Sequence, residues 1–233
     1  MTQKKKTAEE LKANYDKFIA VLNKYFKGER LEKLLHMYSE DELGMNLTIS
    51  PASGRLLYHN CYDGGYIDHI FNVTKNALKV KELFQAQGGK IDFTDEELIF
   101  AALHHDLGKL GIKGQIHYVP NTNKWEIENR MDYYKRNDEI PFMTLTDRTF
   151  FTLNHYGIQY NENEYFGIKL TDGLYDEDNE KYLKTFNVKN TLRSSIQYVL
   201  HWADFMSTIV ERQEELERQS AKTDNFSFNV GKF

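Results

Sequence analysis

Apolar residues recur at helical spacing along most of this chain. From Ala8 to Lys27 the positions Leu11, Tyr15, Phe18, Ile19, Leu22 and Phe26 fall on one face and predict a helix, with a shorter one over Glu29 to Tyr38. Ser39 to Asp63, which holds Gly44, Pro51 and Gly54, reads as loop with short extended pieces. Gly64-Gly65 opens a helix reaching about Gln87, with the stripe Ile67, Ile70, Phe71, Thr74, Ala77, Leu78 and Phe84, and Gly88-Gly89 stops it. Thr94 and Glu97 have capping-box spacing. The helix they start is apolar nearly all round from Leu98 to Leu103, the mark of a central helix, and ends near Gly108.

Beyond it, Gln115-Ile116-His117-Tyr118-Val119, a Pro-Asn-Thr-Asn turn and Lys124-Trp125-Glu126-Ile127 predict a β-hairpin, followed by a polar run from Arg130 to Asn137. Helices resume over Thr146 to Tyr156 and Glu162 to Leu170, and Thr171 to Asn179 is acidic and turn-like. A last helix is expected from about Asn190 to Gln219, with the stripe Leu192, Ile196, Val199, Leu200, Ala203 and Val210. Beside this stripe Gln197, His201, Asp204 and Thr208 form a polar line at spacings of four, three and four. Such a line is either a solvent-facing side or the wall of a site. Trp202, Phe205 and Met206 around Asp204 argue for burial.

These elements predict an all-α bundle with a small β-hairpin insert at about 115–137. Helices in 1–63 would pack on a core over 64–219, with a loose tail over 220–233, in one compact domain. The net charge of −5 gives no general attraction to nucleic acid. Cys61 is the only cysteine, which excludes an intrachain disulfide framework and a cysteine zinc cluster. Met1 to Lys6 is followed by Thr-Ala-Glu-Glu rather than an apolar core, and no stretch has the length of a membrane span, so a cytoplasmic protein without membrane contact is expected. Tyr15, Phe18 and Phe26 would serve core packing or, alternatively, a homo-oligomer face.

The chemistry concentrates in Ala101-Ala102-Leu103-His104-His105-Asp106-Leu107-Gly108-Lys109. An imidazole and a carboxylate at the end of an apolar run are costly to bury without compensation, and a divalent ion is a common one. Periodicity alone does not separate His104 from His105, because the helix is apolar on both faces. His69 upstream, just after Gly64-Gly65, and Asp204 downstream would complete a set of two imidazoles and two carboxylates. That mixed nitrogen and oxygen set suits Mn, Fe, Co, Ni, Zn or Mg, one or two ions per site, better than calcium.

The stretches GGYIDHIFNVTKNAL (Gly64 to Leu78), AALHHDLGK (Ala101 to Lys109) and HWADFMST (His201 to Thr208) agree in order and spacing with a known pattern. The chain resembles the HD-domain metal-dependent phosphohydrolase superfamily, in general character its members from large bacterial viruses. The resemblance implies an HD-type helical bundle in which His69, His105, Asp106 and Asp204 are metal ligands and Lys109 sits near the phosphate. Some branches bind further metals through histidines after the signature, and His155 occupies a suitable place in the order, without the doubled histidine of those branches. Asp172-Gly173 is similar to a turn of cyclic-dinucleotide hydrolases, from which Leu174-Tyr175-Asp176 departs.

The function expected is hydrolysis of a nucleotide-like phosphoester by metal-activated water, as a nucleotidase or nucleoside triphosphate hydrolase. His155 or His201 would protonate the leaving oxygen or position water. In the insert, His117, Tyr118 and Trp125 would stack a base or line the mouth, and Lys135 and Arg136 would meet phosphate. A phosphodiesterase or 3′ exonuclease acting on nucleic acid or cyclic nucleotides is the alternative enzyme, and a non-catalytic regulatory protein on the same scaffold the alternative of another class.

Overall fold

The computed structural model describes residues 3–184 and 194–230. The chain folds mainly into helices: α1 (Ala8–Tyr25), α2 (Gly28–Met37), α3 (Met45–Ile49), α4 (Gly65–Ala86), α5 (Asp95–His104), α6 (Lys124–Arg130), α7 (Leu145–His155), α8 (Glu162–Lys169), α9 (Glu180–Leu183) and α10 (Ile196–Val230). Two short antiparallel strands, β1 (Tyr118–Pro120) and β2 (Tyr134–Arg136), pair with Tyr118 opposite Arg136 and Pro120 opposite Tyr134. The all-α fold with a small hairpin is therefore what the apolar periodicity predicted. Among the described residues no helix is long and apolar enough to cross a membrane.

α5 is the centre of the bundle. Thr94 and Glu97 close both bonds of the capping box, and every residue from Leu98 to His104 is buried. Full burial of each aliphatic side chain contributes about 1.5–3 kcal/mol. α4 and α8 pack on α5, and α10 packs on α4 and α8. One core cluster joins Phe18 and Leu22 of α1, Leu34 of α2, Ile70 of α4, Leu103 of α5 and Leu200 of α10. Phe18 and Phe26 are fully buried, so they serve the core and offer no oligomer face.

Four local expectations are corrected. Lys124 to Ile127 is not the second strand: the Asn123 side chain accepts the backbone N–H of Trp125 at 3.1 Å and starts α6, and the strand partner is Tyr134–Arg136. The Asn cap outweighs the apparent alternation of Trp125 and Ile127. The Ser39–Asp63 stretch is not all loop, since it holds a π-turn at Glu40–Gly44 and then α3. The short α3 is held by tertiary contacts: buried Asn46 donates from Nδ2 to the carbonyls of Leu110 (2.8 Å) and Ile112 (2.6 Å). Val210 is 43% exposed and leaves the apolar stripe of α10. Lastly, α10 continues to Val230, past the Ser220 at which a loose tail was expected. The expected helix start at Asn190 and the stripe residue Leu192 lie outside the described residues.

Candidate metal centre

Three elements bring the chemistry together. Gly64, at φ +77°, adopts the left-handed turn that opens α4 one turn before His69. The end of α5 and the 3-10 turn Leu107–Leu110 deliver His105, Asp106 and Lys109. The polar line of α10 delivers His201, Asp204 and Thr208 to one cavity of about 280 Å³, which His69, Asp106 and Lys109 also line. Three of the four residues of the line thus face a cavity, with Gln197 buried apart from it, while Trp202, Phe205 and Met206, expected to bury Asp204, are 40–49% exposed.

Four ligand-type residues converge there. His69 Nε2 lies 3.2 Å from Asp204 Oδ1 and 3.6 Å from Asp106 Oδ2. His105 Nε2 lies 3.5 Å from Asp106 Oδ2 and 3.7 Å from Asp204 Oδ1. Bonds of 2.0–2.2 Å to one ion place neighbouring ligand atoms roughly 3–3.5 Å apart, so the set is close to the size an ion requires. His105 Nδ1 donates to the Ala102 carbonyl at 2.8 Å, which turns Nε2 inward, and that buried Nε2 has no hydrogen-bond partner. An orphaned imidazole lone pair facing two carboxylates fits a divalent cation. His104 is set apart by its surroundings rather than by its bonding: its Nδ1 pairs with the Phe100 carbonyl at 2.7 Å and its buried Nε2 is also unpartnered, but its ring packs on Phe100 and Tyr38 and it joins neither group that could hold an ion.

The charges are mutually adjusted. Burial opposes ionisation of Asp106, but Lys109, His105 and His69 outweigh it and hold the carboxyl well below the usual range. Lys109 Nζ donates to Asp106 Oδ2 at 2.6 Å. Burial likewise works against a proton on His69, yet the carboxylates of Glu211 and Asp204 raise the ring to about 10. His201 Nδ1 donates to the Thr171 carbonyl at 2.6 Å, which leaves Nε2 as the acceptor of the ring. Gly173, at φ +55°, lies against that ring; a β-carbon there would meet His201 Cε1 at 2.5 Å.

Two participants were not foreseen. His59 lines the same cavity, its ring centroid 4.6 Å from that of His69, and both its ring nitrogens are buried without partners. His59, His69 and Asp106 form a second group that could hold a metal ion, beside His69, His105 and Asp204. Burial and the nearby His69 push His59 well below the usual histidine range, so the ring is neutral. Glu211 lies behind His69, with Oε2 2.9 Å from Nδ1 and Oε1 accepting Asn72 Nδ2 at 2.7 Å. Nothing periodic marks His59 in its loop. Glu211, in contrast, continues the α10 polar line by one further step of three after Thr208.

The other candidates lie elsewhere. His155 is exposed and lines a separate cavity with Glu42, Lys113, Phe151 and Tyr156, away from the four ligand-type residues. His117 and Tyr118 feel the charges of Lys109 and Asp106 but do not line the central cavity. Lys135 is exposed on β2, and Arg136 lies over the Phe142 ring and donates to the Ile140 carbonyl. Trp125 is 58% exposed beneath the Arg130 guanidinium.

No family model matches the chain, and no solved structure matches it. Part of it is similar to the dihydroneopterin 2′,3′-cyclic phosphate phosphodiesterase of Methanocaldococcus jannaschii, 34% identical over 68 residues. The matched stretch covers 29% of this chain and 26% of the archaeal protein, about a quarter of that relative's length.

Proposed function

We propose that this protein is a metal-dependent phosphoester hydrolase of HD type, acting on a nucleotide-like substrate, with His69, His105, Asp106 and Asp204 holding a divalent ion. The observation that carries this reading is the buried, unpartnered Nε2 of His105 facing the carboxylates of Asp106 and Asp204, which line a cavity with His69. The likeness to a phosphodiesterase supports the reaction class. When bound, the ion would supply an activated water and neutralise charge developing on phosphate oxygens.

The protein's own groups take the remaining tasks. Lys109, with its ammonium 2.6 Å from Asp106, offers charge-assisted hydrogen bonds to a phosphoryl oxygen beside the ion. His201 presents an acceptor nitrogen on a ring fixed by Thr171 and Gly173, suited to hold or pass a proton at the water. Of the two histidines expected to protonate the leaving oxygen or position water, His201 lines the central cavity and His155 a different one, which favours His201.

Phosphodiester cleavage is the second reading, favoured by the archaeal relative, which acts on a cyclic phosphate. A purely regulatory role is disfavoured by the convergence of His69, His105, Asp106 and Asp204.

The deciding assay follows product release from nucleoside mono- and triphosphates, 2′,3′-cyclic nucleotides and cyclic dinucleotides with Mn, Mg, Co, Ni or Zn, for the native protein and Asp106→Ala. Metal-dependent release lost in the variant is the expected result, and the product separates monoester from diester cleavage. No release from any compound by protein that binds metal would overturn the proposal.

A further inference from the structure

At the mouth of the central cavity stand two large aromatic side chains, Tyr175 and Phe205, 78% and 46% exposed. Neither is a metal ligand or a cation for phosphate. Their rings lie near-parallel, 21° apart in plane with centroids 6.3 Å apart. The His201 ring continues the same orientation, 25° from the plane of Phe205 at 6.4 Å. Other exposed apolar residues of α10, such as Trp202 and Ile209, do not line the cavity. Tyr175 is held on the 3-10 turn Gly173–Tyr175, whose first residue rests on His201.

Exposed aromatic area beside a phosphoester site is unspent hydrophobic contact, and near-parallel rings select a flat partner over a bulky one. We propose that Tyr175 and Phe205 form a stacking subsite for the planar heteroaromatic ring of the substrate, so that the substrate class is a nucleobase-like ring joined through a sugar-sized spacer to the phosphoester. This rests on the phosphoesterase reading and moves base recognition from the insert, where His117, Tyr118 and Trp125 were the candidates, to the turn before α9 and to α10.

The test is calorimetric binding of AMP, GMP, CMP and UMP, and of ribose 5-phosphate, which lacks the ring, to the Mn-loaded protein and to its Phe205→Ala, Tyr175→Ala and Phe205→Trp variants. Stacking of one base on an aromatic side chain corresponds to roughly 5- to 100-fold in affinity. At least one nucleotide is expected to bind the native protein more tightly than ribose 5-phosphate by such a factor. The alanine variants should lose that preference while keeping their affinity for ribose 5-phosphate, and Phe205→Trp should retain it. Because both side chains are exposed, the variants should melt close to the native protein. Equal binding of nucleotides and ribose 5-phosphate to the native protein, or equal weakening of both in Phe205→Ala, would overturn the subsite while leaving the phosphoesterase reading in place. Failure of every phosphate compound, ribose 5-phosphate included, to bind the Mn-loaded protein would overturn both.

Discussion

The buried ring of His69 donates from Nδ1 to the Glu211 carboxylate at 2.9 Å, across the contact between α4 and α10. This bond turns Nε2 toward the space shared with Asp106 and Asp204, where a bound ion would take the place of the proton that the carboxylates otherwise hold on the ring. Carboxylates placed behind ligating histidines typically contribute 10- to 100-fold in metal affinity. Glu211→Ala is expected to weaken Mn or Co binding by about that factor, measured by competition with a chelator. Glu211→Gln, which keeps one acceptor oxygen for His69 Nδ1 but loses the second that accepts from Asn72 Nδ2, should recover part of it. Equal and native-like affinity in both variants would show that Glu211 only packs.

His59 makes a separate prediction. Its two ring nitrogens have no partner, and the ring stands against His69 and within ligand distance of Asp106. If it contributes a lone pair to the centre, His59→Ala should weaken metal affinity by roughly tenfold or more, the scale seen for lost supporting groups. The absorption spectrum of the Co-loaded protein should shift as well. Unchanged affinity together with an unchanged cobalt spectrum would remove His59 from the coordination sphere.

His117 governs an acid response. Burial, then Arg148, Arg136 and Lys109, lower the ring from 6.5 to about 4, so it is neutral in the fold. Below pH 6.5 the unfolded chain takes up a proton that the folded ring refuses. Stability is therefore fully present above about pH 6.5 and is lost as the pH falls through about 4. In His117→Gln the melting temperature should fall less between pH 7 and pH 4.5 than in the native protein. Parallel declines would show that other groups set the acid limit.

Most of the helices were legible because amphipathic spacing and caps are local signals, as the stripe of α4 and the Thr94 box show. The polar line on α10 was legible too, though its spacing left solvent and site wall open; His201, Asp204 and Thr208 line a cavity, Gln197 is buried apart from it, and the line runs on to Glu211. What escaped was decided over long range. α3 is held by bonds from Asn46 to carbonyls 64 and 66 residues away. His59 reaches the centre from a loop, where no period exists to mark an inward face. The second strand was misplaced because alternation over four residues is compatible with one helical turn, and the Asn123 cap decided the outcome. Chain order suggested His155, but α7 presents that residue to another cavity.

Asp204 and Phe205 are consecutive on α10, one step of about 1.5 Å along the axis and 100° around it. Under the proposed roles, an ion-holding carboxylate and an aromatic surface mounted side by side on one stiff rod would keep a fixed spacing. The rod would then work as a gauge: the span from a held ring to the phosphorus under attack would be a dimension of the protein, and compounds whose spacer is a phosphate too long or a sugar too short would fall off the scale whatever base they carry.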